Sequence, residues 1–332
     1  MSDIYPFDPD LGETVLEPES NRAGSWVGAP SAHCRDGLTY LSYRRRRPLG
    51  EGRGYATYLA VSKDGSSFNE LWEIGKEALG TSSIERCALA DGGDGLLLYL
   101  SYVDPEDHRW CIDTVTAATP EGLEKEVPRR VPTLRAVPLG LEAVKDPVVV
   151  RAGGLYWMYV SCAARTVAAK GMSDAELHAS DDVYTSGVVV SETGLAVSRD
   201  GFNYEWLGTV LEVQEGGWDA YAARVSCVLA LPDVSLAFYD GGAHVDENYE
   251  EKTGAAVLNG PASLTRLSRN GPWLVSSHGT GSLRYMTTLT FDEKVDFYYE
   301  WARPDGSHEL RHSVKIKEAS VFGLGRRGSV SE

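Results

Sequence analysis

The chain has 332 residues, 42% of them hydrophobic, enough to fill the core of one closed all-β domain. Its net charge of −16 denies it the basic face that phosphate contacts need, so no nucleic-acid partner is expected. No stretch approaches the roughly 20 apolar residues of a membrane helix, no charged-then-apolar leader is visible, and five cysteines without a C-x-x-C pair indicate neither a disulfide framework nor a zinc knuckle. A cytoplasmic location, no membrane contact and no cofactor are the expectations.

The strand signals come as one phrase repeated: a short apolar strand, a Gly- or Asp-rich turn, then an aromatic-rich strand. It is read at 32–43, 90–102, 150–162, 231–240 and 291–300, after strand starts near Trp26, Ile84, Val144, Tyr221 and Leu283. Units recurring every 60 residues or so, each opening with a hairpin, predict repeated sheets: an all-β, five-bladed β-propeller with blades near 26–80, 81–140, 141–215, 216–278 and 279–320 in a single domain over 1–332. The segment before Trp26 is expected to lend the last blade its outer strand and so close the ring.

Between these phrases a second one recurs. Leu59-Ala-Val-Ser-Lys-Asp-Gly-Ser-Ser-Phe matches Leu195-Ala-Val-Ser-Arg-Asp-Gly-Phe-Asn-Tyr, each read as a third strand, an Asp-Gly turn and a fourth strand. The basic run Arg44–Arg47 precedes Pro48 and reads as a solvated loop, with one arginine turned inward. Residues 165–190 interrupt the third unit with a polar insertion and a short helix near 172–180, and 242–253 form a second long loop. Both are expected at the rim of an axial pocket. The Gly-, Arg- and Ser-rich tail beyond Lys317 is expected to fray.

In a propeller the first strands converge on the axis. Counting back from Gly37 and Gly154 sets Ala29-Pro30 opposite Asp146-Pro147. Allowing a turn two residues longer at Asp91–Gly95 brings Glu85 to the same level, and the same allowance selects Arg284; the fourth unit offers Ala223 or Arg224, with Asp219 just before the strand. The axis is thus expected to collect Glu85, Asp146, Arg284 and Arg224, with Arg86 beside them.

Three segments carry a family resemblance: Lys145-Asp146-Pro147-Val148-Val149, Ile84-Glu85-Arg86-Cys87-Ala88 and His278-Gly279-Thr280-Gly281-Ser282-Leu283-Arg284-Tyr285. Over about residues 26–316 the chain resembles the five-bladed propeller glycosidases: the arabinanase and xylosidase group, the invertase and levansucrase group, and the mannoside phosphorylases. The resemblance implies cleavage of a small glycoside or oligosaccharide, by water or by phosphate. It departs at Ala29, where the first two groups carry an aspartate. A histidine beside a central ion in some relatives makes His278 a candidate axial ligand, although no metal is expected here.

Glycoside cleavage needs one protonated carboxyl and one ionised carboxylate. Glu85 and Asp146 are the expected catalytic pair, with Arg86, Arg224 and Arg284 holding substrate or setting carboxylate charge. Trp26 and Tyr221 offer aromatic faces for a sugar ring, and Asp219, Asp240 and His278 complete the expected substrate-binding set. Two alternatives stand beside this. Buried ion pairs tying the blades together would leave a propeller that binds a sugar or a protein without cutting it, and a glycosidase scaffold could serve specialised metabolism.

Overall fold

The computed structural model describes residues 7–48, 50–166, 169 and 171–317; the tail expected to fray lies outside them. Its strands, in chain order, are β1 (Glu13–Leu16), β2 (Trp26–Arg35), β3 (Leu38–Arg46), β4 (Gly54–Ser62), β5 (Asn69–Gly75), β6 (Ala88–Asp91), β7 (Leu96–Val103), β8 (Trp110–Ala117), β9 (Val131–Leu134) and β10 (Ala143–Ala152). They continue with β11 (Leu155–Ala163), β12 (Glu192–Ser198), β13 (Tyr204–Leu211), β14 (Ala222–Ala230), β15 (Ser235–Gly242), β16 (Lys252–Gly260), β17 (Ser263–Arg266), β18 (Leu283–Thr290), β19 (Lys294–Ala302) and β20 (His308–Ile316).

Three sheets are four-stranded antiparallel meanders: β6–β9, β10–β13 and β14–β17. The remaining strands form one eight-stranded sheet, but β20 and β2 meet in it through a single parallel pair, Trp26 with His308. On either side of that seam lies another set of four: β2–β5, and β18–β20 with β1 on its outer edge. The segment before Trp26 therefore does supply an outer strand. Four-stranded meanders of this kind fit the blades of a propeller.

Local chemistry explains the hairpins. Asp36 and Gly37 both take left-handed backbone, as do Gly153 and Gly154, and two such residues in succession give the twist that joins β2 to β3 and β10 to β11. The two matched Ser-x-Asp-Gly turns are built alike. The Ser62 hydroxyl donates to Asp64 and accepts from the Gly65 N–H, and Ser198 does the same for Asp200 and Gly201. Each aspartate also accepts two backbone N–H groups, which hold its carboxyl well below the usual range.

The apolar core lies between consecutive sheets. Ala88, Leu97 and Tyr99 pack on Val144, Tyr156 and Met158, while Cys227, Leu236 and Phe238 pack on Met286, Val295 and Phe297. Among the described residues, α-helix is confined to single turns: α1 (Lys76–Leu79), α2 (Leu123–Glu126) and α3 (Asp174–Leu177). The last sits inside the insertion expected to hold a helix. A capping box explains it, since Ser173 accepts from the Glu176 N–H and Glu176 accepts from the Ser173 N–H.

Candidate active site

The site is built on a defect shared by the inner strands. β2, β10, β14 and β18 each slip register by one residue, between Gly28 and Ser31, Lys145 and Val148, Val225 and Cys227, and Arg284 and Thr287. Ahead of β6 the bridge Ile84–Tyr102 and the pair Ala88–Tyr99 show the same slip. A bulge bends the strand and re-aims its side chains. Ala29, Asp146 and Tyr285 lie in three of these bulges with φ of 52°, 54° and 52°, a left-handed conformation uncommon for such residues. Ala29 is thus the counterpart of Asp146, as the sequence spacing expects.

Glu85 is not. Its N–H donates to the Ser101 carbonyl, the level at which Lys145 faces Ser161, so Glu85 and Arg284 are counterparts of Lys145, while Arg86 and Tyr285 are counterparts of Asp146. The expected longer turn is absent: Gly92 donates to the Gly95 carbonyl across Gly93-Asp94, the same two-residue loop as Gly153-Gly154.

These positions bring charge together. Arg44 and Arg46 are both buried, at 0% and 2% exposure, where one inward arginine was expected. They belong to β3 rather than to a loop, and strand alternation turns every second residue of the basic run inward. Arg44 Nε lies 2.8 Å from Glu85 Oε2, Arg46 Nη2 3.5 Å from Glu85 Oε1, and Lys145 Nζ 4.0 Å from Glu85 Oε1 and 3.8 Å from Asp146 Oδ2. One ammonium touching both acids keeps those oxygens within the roughly 9.5 Å upper limit for paired carboxyls in inverting glycosidases. Asp146 further accepts the Arg86 N–H at 3.2 Å and the Tyr285 hydroxyl at 3.4 Å.

Burial alone would raise the Glu85 carboxyl, but Arg44, Arg46, Lys145 and Arg53 hold it well below the usual carboxylate range. Glu85 is therefore ionised and cannot be a proton donor at neutral pH. Burial lowers the Lys145 ammonium, and Asp146 and Glu85 offset only part of that. Asp240 goes the other way. Burial pushes its carboxyl up to about 6 against the pull of Arg224, the Tyr285 N–H and Arg86. A raised carboxyl destabilises the fold progressively as pH climbs from its unfolded value toward 6. Asp240→Asn removes that loss, so urea titrations should show the variant gaining about 2 kcal/mol on the wild type between pH 4 and pH 7. A pH-independent difference would show that Asp240 carries its charge without cost.

The other expected residues divide. Arg284 joins the cluster, its guanidinium 2.7 Å from Glu300 and 2.6 Å from Glu251, and Arg224 pairs with Glu251. Trp26 lies under Arg284 and Arg46, at 4.9 and 5.3 Å, and stacks on His308. Asp240, buried beside Ser226, accepts the Tyr285 N–H. Arg86 is buried, but its guanidinium is spent on backbone, donating to the carbonyls of Pro30, Ser226 and Met286 at 2.7–3.2 Å. Asp219 is locked by Tyr239 and Arg266, and the Tyr221 hydroxyl by the Tyr184 carbonyl. His278 sits exposed in a turn, edge-on to Trp301 at 5.1 Å, away from the cluster.

Several residues went unforeseen: Arg44, Arg46, Arg53, Lys145, Asp182, Tyr249, Glu251, Tyr285, Glu300 and His308. The insertion supplies Asp182, which accepts from Arg53, Trp110 and Tyr249, and so meets the 242–253 loop directly. A usable signal existed at Arg44 and Glu300, each of which ends an aromatic strand run with a charge.

No protein-family model and no curated protein matches the chain. Solved structures do. A β-1,2-mannobiose phosphorylase from Listeria innocua, in complex with β-1,2-mannobiose, superposes with a TM-score of 0.59 at 15% identity, covering 93% of this chain and 96% of that one. A glycosyl hydrolase from Bacteroides ovatus gives 0.62 at 14% identity, over 95% and 94%. A GH43_1 enzyme from Xanthomonas citri, complexed with xylotriose, gives 0.60 at 12% identity, over 92% and 93%. The chain has the fold of the propeller glycosidases.

Proposed function

We propose that this protein is a carbohydrate-active enzyme that cleaves a small glycoside at the axis of a five-bladed ring. Five sets of four strands support the blade count. The observation that carries the function is the buried Glu85–Lys145–Asp146 contact. In this reading Glu85 is the ionised member, a base or nucleophile, and Asp146 is the second carboxyl of the pair, with Lys145 between them and Tyr285 orienting Asp146 through its hydroxyl. Trp26 holds Arg284 and Arg46 in place over its ring rather than offering the sugar a free face, and Asp182, Tyr184 and Tyr249 close over a short ligand. Solved structures of this fold that hold xylotriose and mannobiose support a sugar ligand.

Asp146→Asn is the direct test. On a panel of aryl glycosides and disaccharides, with and without phosphate, the variant is expected to lose turnover by about 100-fold or more while keeping its fold. Full activity would make Asp146 structural. A second reading, binding without cleavage, draws on Ala29, whose left-handed backbone matches that of Asp146 but brings no third acid. Sugar binding by the wild type with no turnover under any condition would establish that reading instead.

A further inference from the structure

Around Glu85, four cations face three acids that no other arginine side chain pairs with. Arg44, Arg46, Arg53 and Lys145 all act on Glu85, and the further acids within reach of them are Asp146 and Asp182. Glu300, 3.8 Å from Arg44, is already taken by Arg284 and His308 at 2.7 and 2.8 Å. Donors are left over as well. Arg44 Nη1, Arg46 Nε and the Tyr184 hydroxyl are buried without a hydrogen-bond partner among the described residues. A buried donor left unpaired is costly, and a buried guanidinium more so.

The surplus is held in place by rings. Arg46 and Arg53 lie over Tyr249 at 4.8 and 3.9 Å, and Lys145 sits between Trp110 and Tyr184 at 4.8 Å from each. Aromatic faces orient such cations but supply no anion. Burial, then the neighbouring Arg46, brings the Arg53 guanidinium down to about 9, while Glu85 and Glu300 hold the Arg44 guanidinium above its ordinary value despite its burial.

We infer that the substrate of this site is a sugar acid, whose carboxylate is received by Arg44, Arg46, Arg53 and Lys145. This rests on the carbohydrate reading above and narrows it. A carboxylate presents two acceptors to planar guanidinium forks and restores the charge balance that the protein leaves open. The sugar body then lies beside Trp26, which Arg46 covers at 5.3 Å, and Asp146, 3.8 Å from Lys145.

Calorimetric titration of the full chain with D-glucuronate, D-galacturonate and D-mannuronate, each against its neutral hexose, tests this. At least one acid is expected to bind about tenfold or more tightly than its neutral counterpart, the preference a charge-assisted contact supplies. Arg53→Gln, at the partly exposed margin of the cluster, should lose that preference with its circular dichroism unchanged, and Arg53→Lys should keep part of it. Equal binding of acids and neutral sugars overturns the inference and leaves the carbohydrate reading standing. Inorganic phosphate that binds alone and displaces the acids overturns it too, making the anion a free one. Binding of no sugar of either kind sinks both.

Discussion

Arg86→Met is expected to cost the fold about 3–5 kcal/mol, the largest loss of any single substitution considered for this chain. The methionine fills much of the same space, so packing is not the reason. The guanidinium donates to the carbonyls of Pro30 and Met286, which lie in the bulges of β2 and β18, and to that of Ser226, which lies in the bulge of β14. Bulge carbonyls have lost their ladder partners, and each left unpaired in a buried place costs about 1–3 kcal/mol. Arg86→Lys should rescue little, because one ammonium cannot reproduce a planar fork reaching three strands at once. Urea unfolding of the two variants decides it. A loss below about 1 kcal/mol in both would mean that the carbonyls find other donors.

Glu85→Gln is expected to abolish turnover and to lower stability by about 3 kcal/mol, leaving Arg44, Arg46 and Lys145 buried around a neutral amide. Its sharper signature is in pH. The Glu85 carboxyl is held well below its ordinary value, as is that of Glu300 beside Arg284, Arg44 and His308. Groups shifted this way stabilise the fold fully above the unfolded carboxylate range and lose that stabilisation as pH falls below it. The wild type should therefore weaken steeply below about pH 4.5, and Glu85→Gln should weaken less steeply over the same window. Identical acid profiles would show that Glu85 exerts no net pull on its cationic neighbours.

Much of this architecture could be read from the residues before any coordinates. Hairpin phrases found β2–β3, β6–β7, β10–β11, β14–β15 and β18–β19, because Asp-Gly and Gly-Gly turns fix the strands on either side of the first three, and Pro-Asp and Asp-Glu turns those of the other two. The opposition of Ala29 and Asp146 was legible for the same reason, as counting from a tight turn is safe when the loop is two residues long. It failed at Glu85 because Asp91-Gly-Gly-Asp-Gly holds three glycines, and nothing in the sequence says which pair makes the bend. One inward arginine was read from the basic run, but the inward turn of both Arg44 and Arg46 was not, because the end of β3 is set by its pairing with β4, where Arg44 meets Thr57 and Arg46 meets Gly54. Glu251 and His308 were beyond reach on similar grounds. They stand near strand ends in the outer part of the repeat phrase, and only the convergence of several sheets makes them neighbours.

The seam between the first and last parts of the chain bears on how this molecule comes to be folded. β1 pairs with β20, so Thr14 lies opposite Arg311, and Trp26 meets His308 across the parallel bridge beside it. Almost the whole described chain is enclosed between those contacts. Three meanders can form from neighbouring residues, but the seam waits on a loop closure that is entropically expensive and intrinsically slow. Until it shuts, the edges of β2 and β20 are bare, and the cations of β3 have not met Glu300 across the gap. Assembly of the charged centre and closure of the seam are therefore one event: a molecule caught half-closed would be sticky along two strand edges and would lack its charged centre at the same time.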